Sequence, residues 1–131
     1  MIVIDSSALI AILRREPEAD GFLQIVAEAV SCLLSSVSLL ETSMVLAGRT
    51  GDATSWTELD ALIARARIEV VAQDAELTEA ARAAFLRYGR GRHPAALNLG
   101  DCASYALAKH HDVPLLFKGV DFPRTDLRAA A

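Results

Sequence analysis

Two apolar rhythms alternate along this chain. Short apolar or β-branched runs read as strands, and longer stretches with apolar residues every three or four positions read as helices. Ile2–Ile4 is the clearest run, and Ser31–Ser35, Ile68–Ala72 and Pro114–Phe117 are three more. Between them, Ser6 or Ser7 is expected to cap a helix to about Arg15, and Pro17 suits the first turn of a second helix to about Val30. Ser38-Leu-Leu-Glu41 and Ser55-Trp-Thr-Glu58 both have the form of a capping box, opening helices to about Ala47 and Arg67, with a break at Gly51-Asp52. Asp74 caps an alanine-rich helix to about Tyr88, and Gly100 precedes a helix from about Asp101 to His110. The one real loop spans residues 89–98, Gly-Arg-Gly-Arg-His-Pro-Ala-Ala-Leu-Asn.

Strands separated by helices imply right-handed crossovers. The expected fold is α/β: a short, mainly parallel sheet flanked by helices on both faces, as a single domain over residues 1–131. In such sheets the ligand site lies at the carboxyl ends of the strands.

Composition narrows the function. The hydrophobic fraction is 53 % and the mean hydropathy +0.30, which excludes a disordered chain. The opening Met-Ile-Val-Ile is interrupted by Asp5 and followed by Arg14 and Arg15. That is the wrong order for a signal peptide and far short of the roughly 20 residues that span a bilayer. The expected location is cytoplasmic, without a membrane partner, and Cys32 and Cys102 read as reduced, packed thiols. The net charge of −4 is unevenly spread. Acids dominate through residue 81, while Lys and Arg outnumber acids two to one from residue 82 onward, so an acidic total coexists with a basic face.

Four acids stand out by position. Asp5 follows the first strand directly, and a carboxylate in so apolar a stretch is costly to bury unless something pairs with it. Glu41 lies in a very apolar neighbourhood, Asp101 opens an apolar helix, and Asp121 follows the fourth strand, with Asp126 as a nearby competitor. Each has an ordinary alternative as a cap or turn acid. Together they sit beside strand ends and helix starts, where parallel wiring gathers them at one edge of the sheet. Such a cluster repels itself unless acids are protonated or cations bind. An all-oxygen site suits Mg²⁺ or Mn²⁺, and two such ions support in-line phosphoryl displacement by activated water. No GxGxxG, P-loop, GxSxG or HExxH occurs, and the histidines lack zinc spacing. Arg90, Arg92 and His93 in the loop, with Ser7 and Lys118, are candidate phosphate contacts.

These stretches resemble the PIN-domain toxins of the VapC type over nearly the whole chain. Ile-Val-Ile-Asp5-Ser-Ser7-Ala-Leu is similar to that family's opening block, with Ser6 in place of the commoner Thr. Ser38-Leu-Leu-Glu41 is similar to the second acidic block. Leu97-Asn-Leu-Gly-Asp101-Cys-Ala-Ser-Tyr-Ala-Leu-Ala is similar to the third and is the most specific. Pro114-Leu-Leu-Phe-Lys-Gly-Val-Asp121-Phe is similar to the last, although Lys118-Gly119-Val120 departs from the family's usual turn.

The resemblance implies a PIN-like fold and a toxin of a type II toxin–antitoxin system. Its activity would be that of a Mg²⁺- or Mn²⁺-dependent endoribonuclease cleaving RNA by metal-activated water. Asp5 and Asp101 would be the principal metal ligands, with Glu41 and Asp121 completing the catalytic set. It also implies a VapB-type antitoxin, a homodimer, and operator DNA contacted only through the antitoxin. An antitoxin arginine would enter the pocket while a helix lies against Leu9, Ile12 and Leu13 or Leu39 and Leu40. Two alternatives stay open: a PIN-like metal-dependent nuclease or phosphatase outside a toxin–antitoxin pair, and a non-catalytic binding module.

Overall fold

The computed structural model describes residues 1–50 and 53–131, so the expected break at Gly51-Asp52 lies outside the described residues. Four strands form one parallel sheet: β1 (Ile2–Ile4), β2 (Cys32–Ser35), β3 (Ile68–Val71) and β4 (Leu115–Leu116), in the order β3-β2-β1-β4. All four expected strands are present, each within a residue or so of its expected bounds. β1 is buried along its whole length because both sheet faces are covered. Ile2 and Ile4 point to one core and Val3 to the other.

The first core packs β1 and β2 against α1 (Ser6–Leu13), α2 (Ala19–Glu28), α3 (Ser36–Thr50) and α4 (Thr57–Arg65). The second packs the opposite face against α5 (Ala75–Tyr88) and α6 (Leu99–His111), with Leu97 and Phe122 closing its ends. A segment near the C-terminus covers β4: Leu115 N–H donates to Arg128 O and Ala130 N–H to Leu115 O, both at 2.9 Å, making a parallel bridge at Ala129. Among the described residues, no helix is long and apolar enough to cross a membrane. Both cysteines are free and buried, and burial raises both thiols above their usual range, Cys102 to about 11.

Several expected helix starts are corrected. Asp5, not Ser6 or Ser7, caps α1: its carboxylate accepts from Ser7 N–H at 3.0 Å. Pro17 lies in the turn before α2 rather than in its first turn. β2 runs directly into α3, which starts at Ser36, so Ser38 is already inside the helix and Ser38-Leu-Leu-Glu41 is not a capping box. Both polar side chains of that motif turn to tertiary partners instead. Nor does Ser55-Trp-Thr-Glu58 act as one. A 3₁₀ turn over Ala53–Trp56 precedes α4, whose cap position is Trp56 with no side-chain cap bond. Asp74 does cap α5, accepting from Leu77 N–H at 2.9 Å.

Candidate active site

The carboxyl ends of β1 and β2 open toward the N-terminus of α6, and the expected acids meet there. Asp5 is the first residue past β1 and only 2 % exposed. Burial of a carboxylate requires donors, and it has three. Ser7 N–H and Ser7 Oγ donate to Oδ2 at 3.0 and 2.6 Å, and Ser104 Oγ donates to Oδ1 at 2.5 Å. Ser7 Oγ in turn accepts from Lys118 N–H at 3.0 Å, which ties the turn after β4 to the Asp5 carboxylate.

Glu41 projects from α3, and its Oε1 accepts from Ser6 Oγ at 2.6 Å, across 35 residues of sequence. Its carboxylate lies directly against the backbone of α6. A Cβ on Gly100 would stand 2.5 Å from Oε1 and 2.6 Å from Oε2. Glycine at 100 is thus set by the close approach of an acid. Gly100→Ala is expected to displace the Glu41 carboxylate and reduce activity, with little change in melting temperature, because the atoms that must give are the end of a long side chain. Cleavage assays beside thermal melts check this; an alanine variant of unchanged activity would show that Glu41's position does not matter.

Asp101 occupies the third position of α6 in a true capping box. Its Oδ2 accepts from Asn98 N–H at 3.1 Å while Asn98 Oδ1 accepts from Asp101 N–H at 2.9 Å. Burial pushes the Asp101 carboxyl up to about 6, against the pull of the Asn98 hydrogen bond. The negative charges of Asp5, Glu41 and Asp121 supply a smaller part of that same rise. The other three expected acids therefore all lie within electrostatic reach of Asp101. Asp121 is exposed, at the start of a 3₁₀ turn over Phe122–Arg124. Its competitor Asp126 faces elsewhere: it accepts from Tyr105 Oη at 2.5 Å and pairs with Lys109 at 3.1 Å, tying the C-terminal segment to α6.

Among the described residues, no salt bridge reaches any of the four acids. Lys118, whose backbone N–H meets Ser7, has its ammonium held by Glu16 and by Glu18 at 2.9 Å. Among the described residues, the cluster thus has no basic counter-charge, and it presents only oxygen. That donor set fits a hard divalent cation. Among the described residues, no three acidic, histidine or cysteine side chains stand ready as a closed cage.

The basic residues are less concentrated. Arg90 and Arg92 are exposed on the loop, which is closed by Arg90 N–H to Leu97 O at 3.0 Å and needs Gly91 at φ +82°. His93 is built into that loop: its Nδ1 accepts from Ala95 N–H at 3.0 Å and its ring meets Tyr88 edge-on at 4.9 Å. Sequence reasoning missed Ser104. Its signal was a hydroxyl in an apolar helix, three residues after Asp101 and hence on the same face.

Comparison with known proteins bears on the family and the fold. Residues 2–127 match the PIN domain model. The chain is 48 % identical over 130 residues to ribonuclease VapC30 of Mycobacterium tuberculosis H37Rv, covering 99 % of this chain and 98 % of that protein. It is 49 % identical over 128 residues to a ribonuclease VapC of Mycolicibacterium smegmatis, covering 98 % of each. Its fold is that of Mycobacterium tuberculosis VapC20, a sarcin–ricin-loop-cleaving toxin (TM-score 0.74, 19 % identity, 97 % and 96 % coverage). It is also that of VapBC2 from Rickettsia felis bound to a promoter DNA fragment (TM-score 0.73, 17 % identity, 98 % and 96 % coverage). With a matching domain model over nearly its full length and relatives at close to half identity, the chain belongs to the VapC ribonucleases of the PIN-domain family.

Proposed function

We propose that this protein is the toxin of a type II toxin–antitoxin pair, an endoribonuclease that uses Mg²⁺ or Mn²⁺. The observation that carries the reading is the acid cluster at the sheet's carboxyl edge, without a basic partner among the described residues, in a chain close to half identical to named ribonucleases. Asp5 and Asp101 would hold the cation, with Glu41 and Asp121 completing the pocket directly or through water. When bound, the cation activates water and stabilises the departing oxygen of the phosphodiester. The chain's own residues supply the rest. Ser7 and Ser104 fix the Asp5 carboxylate, Ser6 fixes Glu41, and the capping box fixes Asp101. The negative cluster also offers no stable place for a phosphate until a cation offsets its charge, so substrate binding depends on metal.

The test compares a ribo-oligonucleotide with its deoxy counterpart, with Mg²⁺ or Mn²⁺ and with chelator. RNA cleavage lost on chelation is expected. Equal cleavage of DNA favours a general nuclease, and no cleavage with metal present ends the reading.

Arg90 and Arg92, exposed on the loop that leads into the Asn98 cap, are proposed to hold substrate phosphates. Neutralising both is expected to weaken RNA binding and flatten its salt dependence by roughly one unit of slope per lost contact. An unchanged slope removes the loop from the binding surface.

A VapB-type antitoxin is the proposed partner in the cytoplasm. An arginine from it suits the acidic pocket, because its planar fork pairs bidentately with carboxylates. A groove of about 910 Å³ lined by Ile12, Leu13, Leu23, Val26, Ala61 and Leu62 offers its apolar segment a seat. Leu9 is fully buried core and Leu40 is exposed, so only part of the expected apolar set is open to a partner. Co-expression with the neighbouring small reading frame tests this: growth is restored if the pairing is right.

A further inference from the structure

Behind Asp5 lies a line of buried hydroxyls that runs from Ser104 back to Ser38. Ser38 on α3 and Ser104 on α6 are both 0 % exposed, and their Oγ atoms lie 3.1 Å apart. Ser104 Oγ donates to Asp5 Oδ1 at 2.5 Å. An ionised carboxylate only accepts, so the single Ser104 proton is committed there. Ser38 must then be the donor to Ser104. The protons thus run one way, from α3 through α6 to the end of β1, and each bond polarises the next.

The acceptor count at Asp5 gives this line a consequence. An ionised carboxylate offers about four lone-pair positions. Ser7 N–H and Oγ occupy two on Oδ2, and Ser104 occupies one on Oδ1. Among the described residues, the position left open is on Oδ1, the oxygen that Ser104 holds. Helix formation does not ask for this hydroxyl, since alanine forms helix better at the same volume class. We infer that Ser104, backed by Ser38, is a positioning residue that fixes the open face of Asp5 for the cation. This inference rests on the metal-dependent reading above. The competing account is that the hydroxyls only satisfy one another in the core.

The two accounts separate by measuring Mn²⁺ affinity of the full chain, by electron paramagnetic resonance of free Mn²⁺, beside melting temperature in chelator and steady-state RNA cleavage. The set is wild type, Ser104→Ala, Ser104→Thr, Ser38→Ala and Thr42→Val. Thr42 is the control: it is also fully buried, but its hydroxyl donates only to Ser38 O within α3 at 2.8 Å. Ser104→Ala is expected to weaken Mn²⁺ binding on the order of 10- to 100-fold, as loss of a ligand-orienting partner does. Ser104→Thr recovers most of that loss, and Ser38→Ala shows a smaller loss in the same direction. Thr42→Val melts lower yet binds Mn²⁺ like wild type. In cleavage, kcat of Ser104→Ala falls at limiting Mn²⁺ and recovers as Mn²⁺ rises, with KM for RNA little changed. A folded Ser104→Ala with wild-type Mn²⁺ affinity overturns the inference. Should that variant fail to fold, Ser38→Ala against Thr42→Val decides: equal Mn²⁺ affinity in the two overturns it. A wild-type protein that binds no Mn²⁺ takes down the metal-dependent reading and this inference together, whereas metal binding intact in every variant takes down this inference alone.

Discussion

Asp101→Asn is expected to lose RNA cleavage by on the order of 10³-fold while raising the melting temperature of the metal-free protein at pH 7.5. The Asp101 carboxyl titrates near 6 in the folded protein because burial, and then the charges of Asp5, Glu41 and Asp121, oppose its ionisation; its ordinary value is 3.8. The folded state therefore holds this proton more tightly than the unfolded chain. The stability linked to it is fully present below about pH 4 and is lost as pH rises through about 6. At pH 7.5 the ionised group costs on the order of 1–2 kcal/mol, after allowing for the solvent that still reaches it. Asparagine removes that cost, and its side-chain oxygen still accepts from Asn98 N–H. Melts in chelator should show a gain of roughly 3–8 °C at pH 7.5 that shrinks toward pH 4. A variant that melts lower at pH 7.5 would mean that the cap outweighs the repulsion.

Asp5→Ala should move stability the other way. Asp5 shares the acid cluster with Asp101 but is embedded in donors, and alanine leaves Ser7 N–H, Ser7 Oγ and the fully buried Ser104 Oγ without an acceptor. Loss of the α1 cap costs about 1 kcal/mol, and each buried donor left unpaired about 1–3 kcal/mol more, less whatever the serines recover by turning. A net loss of about 2–4 kcal/mol is expected in urea unfolding, together with loss of cleavage. If Asp5→Ala unfolds at the same urea concentration as wild type, the hydrogen bonds around Asp5 are not structural. Two neighbouring aspartates with opposite signs on stability would separate the acid that is supported from the acid that is merely held.

That difference was not legible in the sequence. What was legible follows from local rules. Ile2–Ile4 is apolar at successive positions because both sheet faces are covered, and Asp74 caps a helix through its own side chain. Asp5 and Asp101 were legible together because strand ends and helix starts in a parallel sheet share an edge. The errors came where a local motif met a distant partner. Ser38-Leu-Leu-Glu41 satisfies a capping pattern, yet Ser38 turns to Ser104, 66 residues on, and Glu41 to Ser6, 35 residues back. The Ser104–Asp5 bond spans 99 residues, and no window of local pattern contains both ends. Fold and acids are thus written in periodicity and position, whereas the hydroxyls that set the acids are written only in tertiary contact.

The segment laid over β4 has a consequence for how the molecule behaves in a crowded solution. A two-residue strand at the margin of a sheet would present unpaired backbone groups, a template on which another chain can add. Arg128 O and Ala130 N–H occupy those groups on Leu115, and Tyr105, Lys109 and Arg87 moor the same segment through Asp126. The opposite margin, β3, has no such cover among the described residues but carries Glu69, exposed, within it. One margin is therefore protected by occupancy and the other by charge. Loosening the Asp126 mooring would expose the occupied margin, and self-association through it would grow with protein concentration even if the acid cluster were untouched.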